Sequence, residues 1–328
     1  MRIAVDAMGG DYAPKEPVLG SVLAAKELNI ATVLVGKSEE INKELSQYED
    51  YPRELITIVD AREVVEMEDQ PVIAVRKKRN SSIVVANQLV KNGDADAIIS
   101  AGSTGASMTA SLFVLGRIPG IARPAIAIPM PTVKGVSVLL DAGANAENDP
   151  KELLQFGIMG AIYAESVLNL SSPKVGLLNI GEEETKGNKL VQEAHQMLKA
   201  SNLNFIGNIE GKDIPIGLSE VVVCDGFVGN IILKFAEGMA SAIFIMMKDA
   251  VMSSTLTKLG ALAIKPSLRK LKGSFDYSEY GGAPLLGIKG VSIISHGRSD
   301  AKAIKNAIRA AASAVEQNVI GKIRSAVE

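Results

Sequence analysis

Val291-Ser292-Ile293-Ile294-Ser295-His296-Gly297-Arg298-Ser299-Asp300 joins an apolar run to a short loop of glycine and polar residues, with a helical pattern after it. This reads as a buried strand, a turn and a helix N-terminus, the unit from which open α/β sheets are built. The unit recurs along the chain. Ile3-Ala4-Val5-Asp6 runs into Met8-Gly9-Gly10-Asp11, and Ala97-Ile98-Ile99-Ser100 into Gly102-Ser103-Thr104-Gly105. Val138-Leu139-Leu140-Asp141 runs into Gly143-Ala144-Asn145, and Val175-Gly176-Leu177-Leu178-Asn179 into a loop from Gly181 to Asn188. Val221-Val222-Val223-Cys224-Asp225 leads into Gly226 to Asn230. Loops at strand C-termini, backed by helix N-termini, are where such sheets bind anions and small substrates. Together these loops describe a crevice suited to phosphate and polarised carbonyl groups.

The remaining strands and helices fill the intervals. A helix is expected from Pro14 to Asn29, a strand at Ala31 to Gly36, a polar helix near Glu39 to Gln47 and a strand at Leu55 to Val59. A helix around Ile83 to Lys91 ends at Asn92-Gly93, a C-cap signal. Ala125 to Met130 and Val136 to Asp141 are close enough to pair as a hairpin, which makes the expected sheet mixed rather than purely parallel. Asp149-Pro150 opens a long helix to about Leu170, and a last helix is expected from Asp300 to about Ile323. The expected fold is α/β, a three-layer αβα doubly wound mixed sheet, in one two-lobed domain over 1–328.

Composition excludes several classes of function. At 328 residues, 47% hydrophobic and 22% charged, the chain can bury a large core. Aromatic residues are scarce and Trp is absent, which disfavours a stacking platform, and no nucleic-acid partner is expected. A net charge of −2 provides no global attraction to nucleic acid or anionic lipid. The single cysteine, Cys224, excludes an intrachain disulfide, and with only His195 and His296 no multi-histidine or multi-cysteine metal site is expected. The apolar N-terminus is broken by Asp6 and Asp11 and reads as a strand, and no run of about eighteen uninterrupted apolar residues occurs. A cytoplasmic, soluble protein is the expectation.

One segment breaks the alternation. Ile231 to Lys272 has no strand signal, only two apolar helical stretches, read as a protruding helical hairpin. The second stretch carries Leu256, Leu259 and Leu262 together with Lys265, Arg269, Lys270 and Lys272, and no acid. A cationic block interleaved with leucines suits an anionic surface or an acidic protein. Burial of the same apolar faces in a dimer interface is the alternative. Both can hold together.

The chemistry narrows by absence. No G-x-G, no G-x-x-x-x-G-K-[ST] and no G-x-S-x-G occurs, so dinucleotide, Walker and nucleophile-elbow signatures are missing. His195 lies in a helical pattern with Leu190, Val191 and Leu198 and reads as a surface or boundary residue. Cys224, inside a valine-rich strand, reads as a small buried hydrophobe rather than a nucleophile. His296, by contrast, ends a strand at a helix mouth, beside Gly297, Arg298 and Ser299. Backbone N–H groups, a hydroxyl and a guanidinium there are what phosphate needs. Ser103, Thr104 and Gly105 repeat that logic, while Lys186 and Asn230 stand where they could reach the same crevice.

Met1 to Asp11, Ser100 to Ala106, Asp141 to Asn145, Asn179 to Glu183, Asp225 to Asn230 and Ser295 to Asp300 together resemble the PlsX-type phosphate acyltransferases of bacterial phospholipid synthesis, over essentially the whole chain. The resemblance implies reversible transfer of a fatty acyl group from acyl–acyl carrier protein to inorganic phosphate, without a cofactor. It also implies a homodimer, a fold like the isocitrate and isopropylmalate dehydrogenases and phosphotransacetylases, and peripheral association with the inner face of the membrane. Contact with the membrane acyltransferase that uses acyl phosphate would follow. Phosphate is then itself the nucleophile and a thiol the leaving group, so the protein must chiefly hold phosphate near the thioester carbon and stabilise an oxyanion. On that reading Ser103, Thr104, Gly105, Gly297, Arg298 and Ser299 bind phosphate. His296, Lys186 and Asn230 orient the carbonyl or support the tetrahedral intermediate, and Asp141, Asn145, Asn179 and Asp225 line the substrate pocket. A phosphotransacetylase acting on coenzyme A esters, a decarboxylating dehydrogenase with a carboxylate cluster from Asp141, Asp225 and Glu182, and a non-enzymatic carrier-docking scaffold are the rival readings.

Overall fold

The computed structural model describes residues 1–254, 257–258, 260–261, 264 and 281–327. Apolar runs without alternation form strands buried on both faces, as parallel sheets require. β1 (Arg2–Asp6), β2 (Ala31–Gly36) and β4 (Ala97–Ser100) are such strands, whereas β3 (Ile56–Asp60), at the sheet edge, is only partly buried. They are joined by α1 (Lys15–Leu28), α2 (Ser38–Leu45), α3 (Pro71–Lys77) and α4 (Ser82–Asn92). Ile3 and Val5 face Val18, Val22 and Leu34, whereas Ala4 faces Val33, Val35 and Ile98 on the opposite side. After α5 (Thr104–Val114) come β5 (Ala125–Ile126), β6 (Ile128–Thr132) and β7 (Gly135–Leu140), then α6 (Pro150–Val167). β8 (Val175–Leu178), α7 (Lys189–Lys199), β9 (Phe205–Ile209), β10 (Val221–Val223) and α8 (Gly226–Met252) follow. The chain closes with β11 (Ala283–Leu286), β12 (Val291–Ile294), α9 (Ala301–Glu316) and α10 (Val319–Val327).

The expected single mixed sheet is two sheets. One has seven strands in the order β3-β2-β1-β4-β12-β11-β5, and the other has five in the order β6-β7-β10-β8-β9. Each is mainly parallel, with antiparallel pairing at β11 in the first and at β6 in the second. The Ala125 to Met130 run divides between them. Ala125 and Ile126 pair with β11, while Ile128 onward pairs with β7. Pro129 and Pro131 have no N–H to donate, so β6 takes an edge. A shared apolar cluster of Ile126, Met130, Leu139, Val222, Leu285 and Ile294 lies between the sheets.

Three further differences have local causes. Asn318, with φ 50°, breaks the expected last helix into α9 and α10. The strand β9, which sequence patterning does not reveal, is interrupted by Gly207 at φ 98° and the polar Asn208. His195 is buried, contrary to the surface reading. Its Nδ1 lies 2.9 Å from Asn208 Oδ1 and its ring meets Phe205 edge-on, so polar partners inside the fold offset its burial.

Of the expected hairpin at 231–272, the first helix is present as α8. Leu256, Leu259, Leu262, Lys265, Arg269, Lys270 and Lys272 lie outside the described residues. Among the described residues, α8 is the one helix long and apolar enough by composition to cross a membrane, with a mean hydropathy of 1.5 over its most apolar window. Only 6% of that window is buried.

Candidate active site

β1, β4 and β12 are parallel neighbours, so their C-terminal loops meet on one edge of the seven-stranded sheet. Ser100 Oγ donates to Asp6 Oδ2 at 2.7 Å, and Asp11 N donates to Gly297 O at 2.7 Å. Gly9 makes this closure possible. A Cβ there would stand 2.6 Å from Asp6 Oδ2 and 2.8 Å from Gly102 N. Asp6 is buried, and desolvation raises its carboxyl above the ordinary aspartate value against hydrogen bonds from Ser82, Ser100 and the loop amides.

The five-stranded sheet supplies the facing wall. Asp141 is fully buried and accepts from the backbone N–H groups of Ile126, Gly143, Ala144 and Asn145, and from Asn145 Nδ2 at 2.9 Å. Burial raises its pKa while those donors pull it down. Asp225 caps α8 by accepting from Val228 N at 2.9 Å. The first turn of α8 then packs hard on the Asp141 loop. A Cβ on Gly229 would overlap the Asp141 carbonyl oxygen, and one on Gly226 would lie 2.6 Å from Asp141 Oδ2. This interlock sets the Asn230 side chain against Gly143.

Between the two walls lies a cavity of about 370 Å³. Its polar rim includes Thr104, Gly105, Asn230, Ser295 and His296, and its apolar side includes Met108, Ile126, Ile128, Pro129 and Leu233. Thr104 and Gly105 begin α5, so unpaired N–H groups and the positive end of the helix dipole face the cavity rim. Lys234 and Glu237, also in the wall, pair at 3.0 Å. Ser295 is a residue that sequence reading treated only as a strand end. It is 5% exposed, and among the described residues its hydroxyl has no hydrogen-bond partner. A buried hydroxyl left unpaired beside a cavity is costly unless a ligand completes it. Gly282 leaves it room, since a Cβ there would approach Ser295 Oγ to 3.1 Å.

The structure brings together Thr104, Gly105, Asn230 and His296, with Ser103 directly before α5. Arg298 borders this group. Its exposed side chain pairs with Asp11 at 3.7 Å while its N–H donates to His296 Nδ1 at 3.1 Å. The buried Ser299 donates its N–H to His296 O at 2.9 Å, which fixes the turn around Gly297. Asp141, Asn145 and Asp225 support the wall rather than face the cavity. Asn145 Nδ2 reaches Pro124 O and Asp141 Oδ2. Lys186 does not reach the cavity. Its loop is folded on itself by Asn179, whose Nδ2 donates to Lys186 O at 3.1 Å, and the lysine side chain is exposed. Cys224 is buried, and burial raises its thiol well above the usual value. Among the described residues there is no group of three or more His, Cys, Asp or Glu able to hold a metal. The carboxylate cluster of the dehydrogenase reading does not form, because Asp141 and Asp225 serve the loop and the helix cap.

The fold is similar to that of solved phosphotransacetylases. The EutD phosphotransacetylase from Staphylococcus aureus superposes with a TM-score of 0.65 at 16% identity, covering 96% of this chain and 94% of that one. A phosphotransacetylase from Streptococcus pyogenes gives 0.63 at 21%, again covering 96% and 94%. These likenesses define a phosphotransacetylase-like fold. The family model described as "Fatty acid synthesis protein" matches residues 1–322. A phosphate acyltransferase from Desulforamulus reducens is 56% identical over 328 residues, covering 100% of this chain and 98% of the relative. One from Pelotomaculum thermopropionicum is 53% identical over 328 residues, covering 100% and 95%. The chain belongs to this family of phosphate acyltransferases, enzymes of fatty acid and phospholipid synthesis.

Proposed function

We propose that the chain transfers a fatty acyl group from the thioester of an acyl carrier protein to inorganic phosphate. A phosphate oxygen attacks the thioester carbon, the C–S bond breaks, and the carrier leaves as its thiol after taking up a proton. The products are acyl phosphate and free carrier. The observation that carries this reading is the cavity itself, where an apolar wall adjoins a helix N-terminus and the unpaired Ser295 hydroxyl. On this reading Ser295, Thr104, the first amides of α5 and His296 hold phosphate, with Ser103, Gly105, Gly297, Arg298 and Ser299 shaping its cradle. Asn230 orients the thioester carbonyl, and Met108, Ile128, Pro129 and Leu233 take the first methylenes of the acyl chain. Holding nucleophile and carbonyl in contact and solvating the developing oxyanion with fixed donors is the principal catalytic contribution. Lys186 requires movement of its loop to join them. Asn179 is assigned to holding that loop.

The test is incubation with acyl–carrier protein and phosphate, trapping acyl phosphate as the hydroxamate. Formation from the carrier thioester supports the reading. Formation only from acyl–coenzyme A replaces the donor, and formation from neither defeats it. Ser295→Ala and Arg298→Ala should each raise the phosphate KM or lower kcat/KM by about tenfold or more. Unchanged phosphate kinetics in both would remove the cradle assignment.

We also assign α8 to association. At 1.5 Å per residue its 27 residues extend about 40 Å, and Phe227, Ile231, Phe235, Ile243 and Met246 are exposed along it. Apolar surface of that length supports contact with a second copy, giving a homodimer. The sequence beyond it, from Leu256 to Lys272, supports a hairpin that touches an anionic membrane surface or the carrier, and so peripheral association with the inner membrane face. The dehydrogenase-type naming of the three-layer fold, the cytoplasmic location and hand-over to a membrane acyltransferase belong to the same proposal.

A further inference from the structure

Charge is distributed unevenly along the chain. From Gln70 to Gly93 the sequence carries Arg76, Lys77, Lys78, Arg79 and Lys91 and no carboxylate, in a protein whose net charge is −2. α5 carries no charge at all. α3, α4 and α5 pack together and enclose a groove of about 510 Å³ lined by Val75, Arg76, Arg79, Gln88, Lys91 and Phe113, among others. Lys78 is already used, donating to Asp69 at 2.6 Å and to Val64 O at 2.8 Å. Arg76 stacks over the Phe113 ring at 5.1 Å, and among the described residues Arg76, Arg79 and Lys91 form no ion pair. Val72, Ile73 and Phe113 are each nearly half exposed, at 47%, 48% and 48%.

This face is continuous with the cavity. Pro71, the first residue of α3, packs on Gly105 so closely that a Cβ at Gly105 would lie 2.8 Å from its Cγ. Met67 Cε approaches the Gly297 position to 3.5 Å. The segment from Met67 to Arg79 therefore starts at the cavity rim, between the Gly105 and Gly297 loops, and runs out over the protein surface.

We propose that the α3–α4–α5 face is the docking surface for an acidic protein that carries the acyl group as a thioester. This rests on the donor assigned under Proposed function. Uncompensated guanidinium and ammonium groups around a shallow, mostly polar groove that also contains Val75, Val84 and Phe113 complement a helix bearing carboxylates and a few apolar side chains. They steer encounter, while Phe113, Val72 and Ile73 provide the area to be desolvated. The donor's thioester arm then enters beside Pro71 toward Thr104 and Ser295. A bilayer fits this face poorly, because a bilayer is met by a long exposed apolar strip, and this face exposes only Val72, Ile73 and Phe113 beside its cations. α8 offers that strip instead.

The experiment is a steady-state comparison of the whole enzyme with R76E/R79E/K91E and with the milder R76Q/R79Q/K91Q, checked for native circular dichroism. Donors are acyl–carrier protein and the small thioester acyl-pantetheine, with phosphate saturating. Direct binding of the carrier is followed by fluorescence anisotropy at two salt concentrations. The charge-reversed variant should raise the carrier KM and the carrier Kd about tenfold or more, with a weaker salt dependence of binding than wild type. The KM values for phosphate and acyl-pantetheine should stay at wild-type levels, and the glutamine variant should fall between. Unchanged carrier KM and Kd overturn the docking surface, as does an equal loss with both donors. Loss of binding to anionic vesicles with carrier kinetics intact also overturns it and assigns the face to lipid. If the wild-type enzyme forms no acyl phosphate from carrier thioester, the donor assignment itself has failed. If it does and the variants match it, only the docking surface has failed.

Discussion

Asp6 and Asp141 occupy matching places in the two sheets and solve the same problem differently. Each ends a buried parallel strand, each is buried, and burial raises each carboxyl above its ordinary value. Asp6 is held by the hydroxyls of Ser82 and Ser100 and by amides of its own loop. Asp141 gathers four backbone N–H groups and a side-chain amide, including Ile126 from the strand that joins the first sheet. The first is a local clasp between two loops, whereas the second pins one sheet to the other. Where a buried carboxylate is the acceptor for many backbone donors, its loss exposes all of them at once.

That difference can be broken at its strongest point. Asp141→Ala should lower unfolding free energy by about 3–5 kcal/mol, because several buried donors lose their acceptor. Asp6→Ala should cost visibly less. Denaturant midpoints for the pair decide this, and equal losses would erase the distinction. Gly229→Ala comes next, at about 2–3 kcal/mol, since the new methyl meets backbone that cannot yield. It should also displace Asn230 and reduce acyl phosphate formation. Wild-type stability and activity would show that the α8 interlock is loose.

On the other side of the cleft, Gly9→Ala should cost about 1–2 kcal/mol and open the Asp6–Ser100 clasp. Thermal midpoints and the phosphate KM would both register it. Unchanged values would mean that the loop shifts freely. The smallest effect is a pH slope. A carboxyl whose folded pKa is raised binds a proton more readily in the folded chain than in the unfolded one. Its stabilising contribution is complete below the unfolded aspartate value and is lost as pH rises through the raised folded value. Relative to Asp6→Asn, the wild type should therefore gain stability on acidification across that window. A stability difference that does not vary with pH would show that Asp6 does not titrate differently on folding.

Much of the fold was legible locally. β1, β2 and β4 are apolar on both faces, and the Asn92-Gly93 and Asp149-Pro150 signals mark helix ends, with Asp149 and Glu152 forming a capping box in the structure. The cavity residues Thr104, Asn230 and His296 were readable because glycine-rich loops at strand ends advertise them. Ser295 was not, because a strand-terminal serine looks the same whether its hydroxyl is satisfied or not. A loop that follows a strand places Lys186 near the crevice by sequence alone, but its strand β8 lies next to the edge strand β9, on the far side of β10 from β7. His195 has the local pattern of a surface or boundary residue on a helix, and its contacts with Phe205 and Asn208 of β9 come from a strand that local patterning does not reveal.

The amino-acid sequence alone determined the alternation of buried strands and helices, the loop chemistry at their ends and the absence of nucleotide and nucleophile-elbow motifs. These depend on side-chain periodicity and on residues a few positions apart. The tertiary structure decided that the strands form two sheets, which loops face one another, and that α8 stays uncovered while α9 packs on α1. It also brought Asp11 to Gly297 and Glu16 to Ala301, the latter pair 285 positions apart. Strand order is a competition among long-range pairings of similar apolar runs, and no local pattern records its outcome.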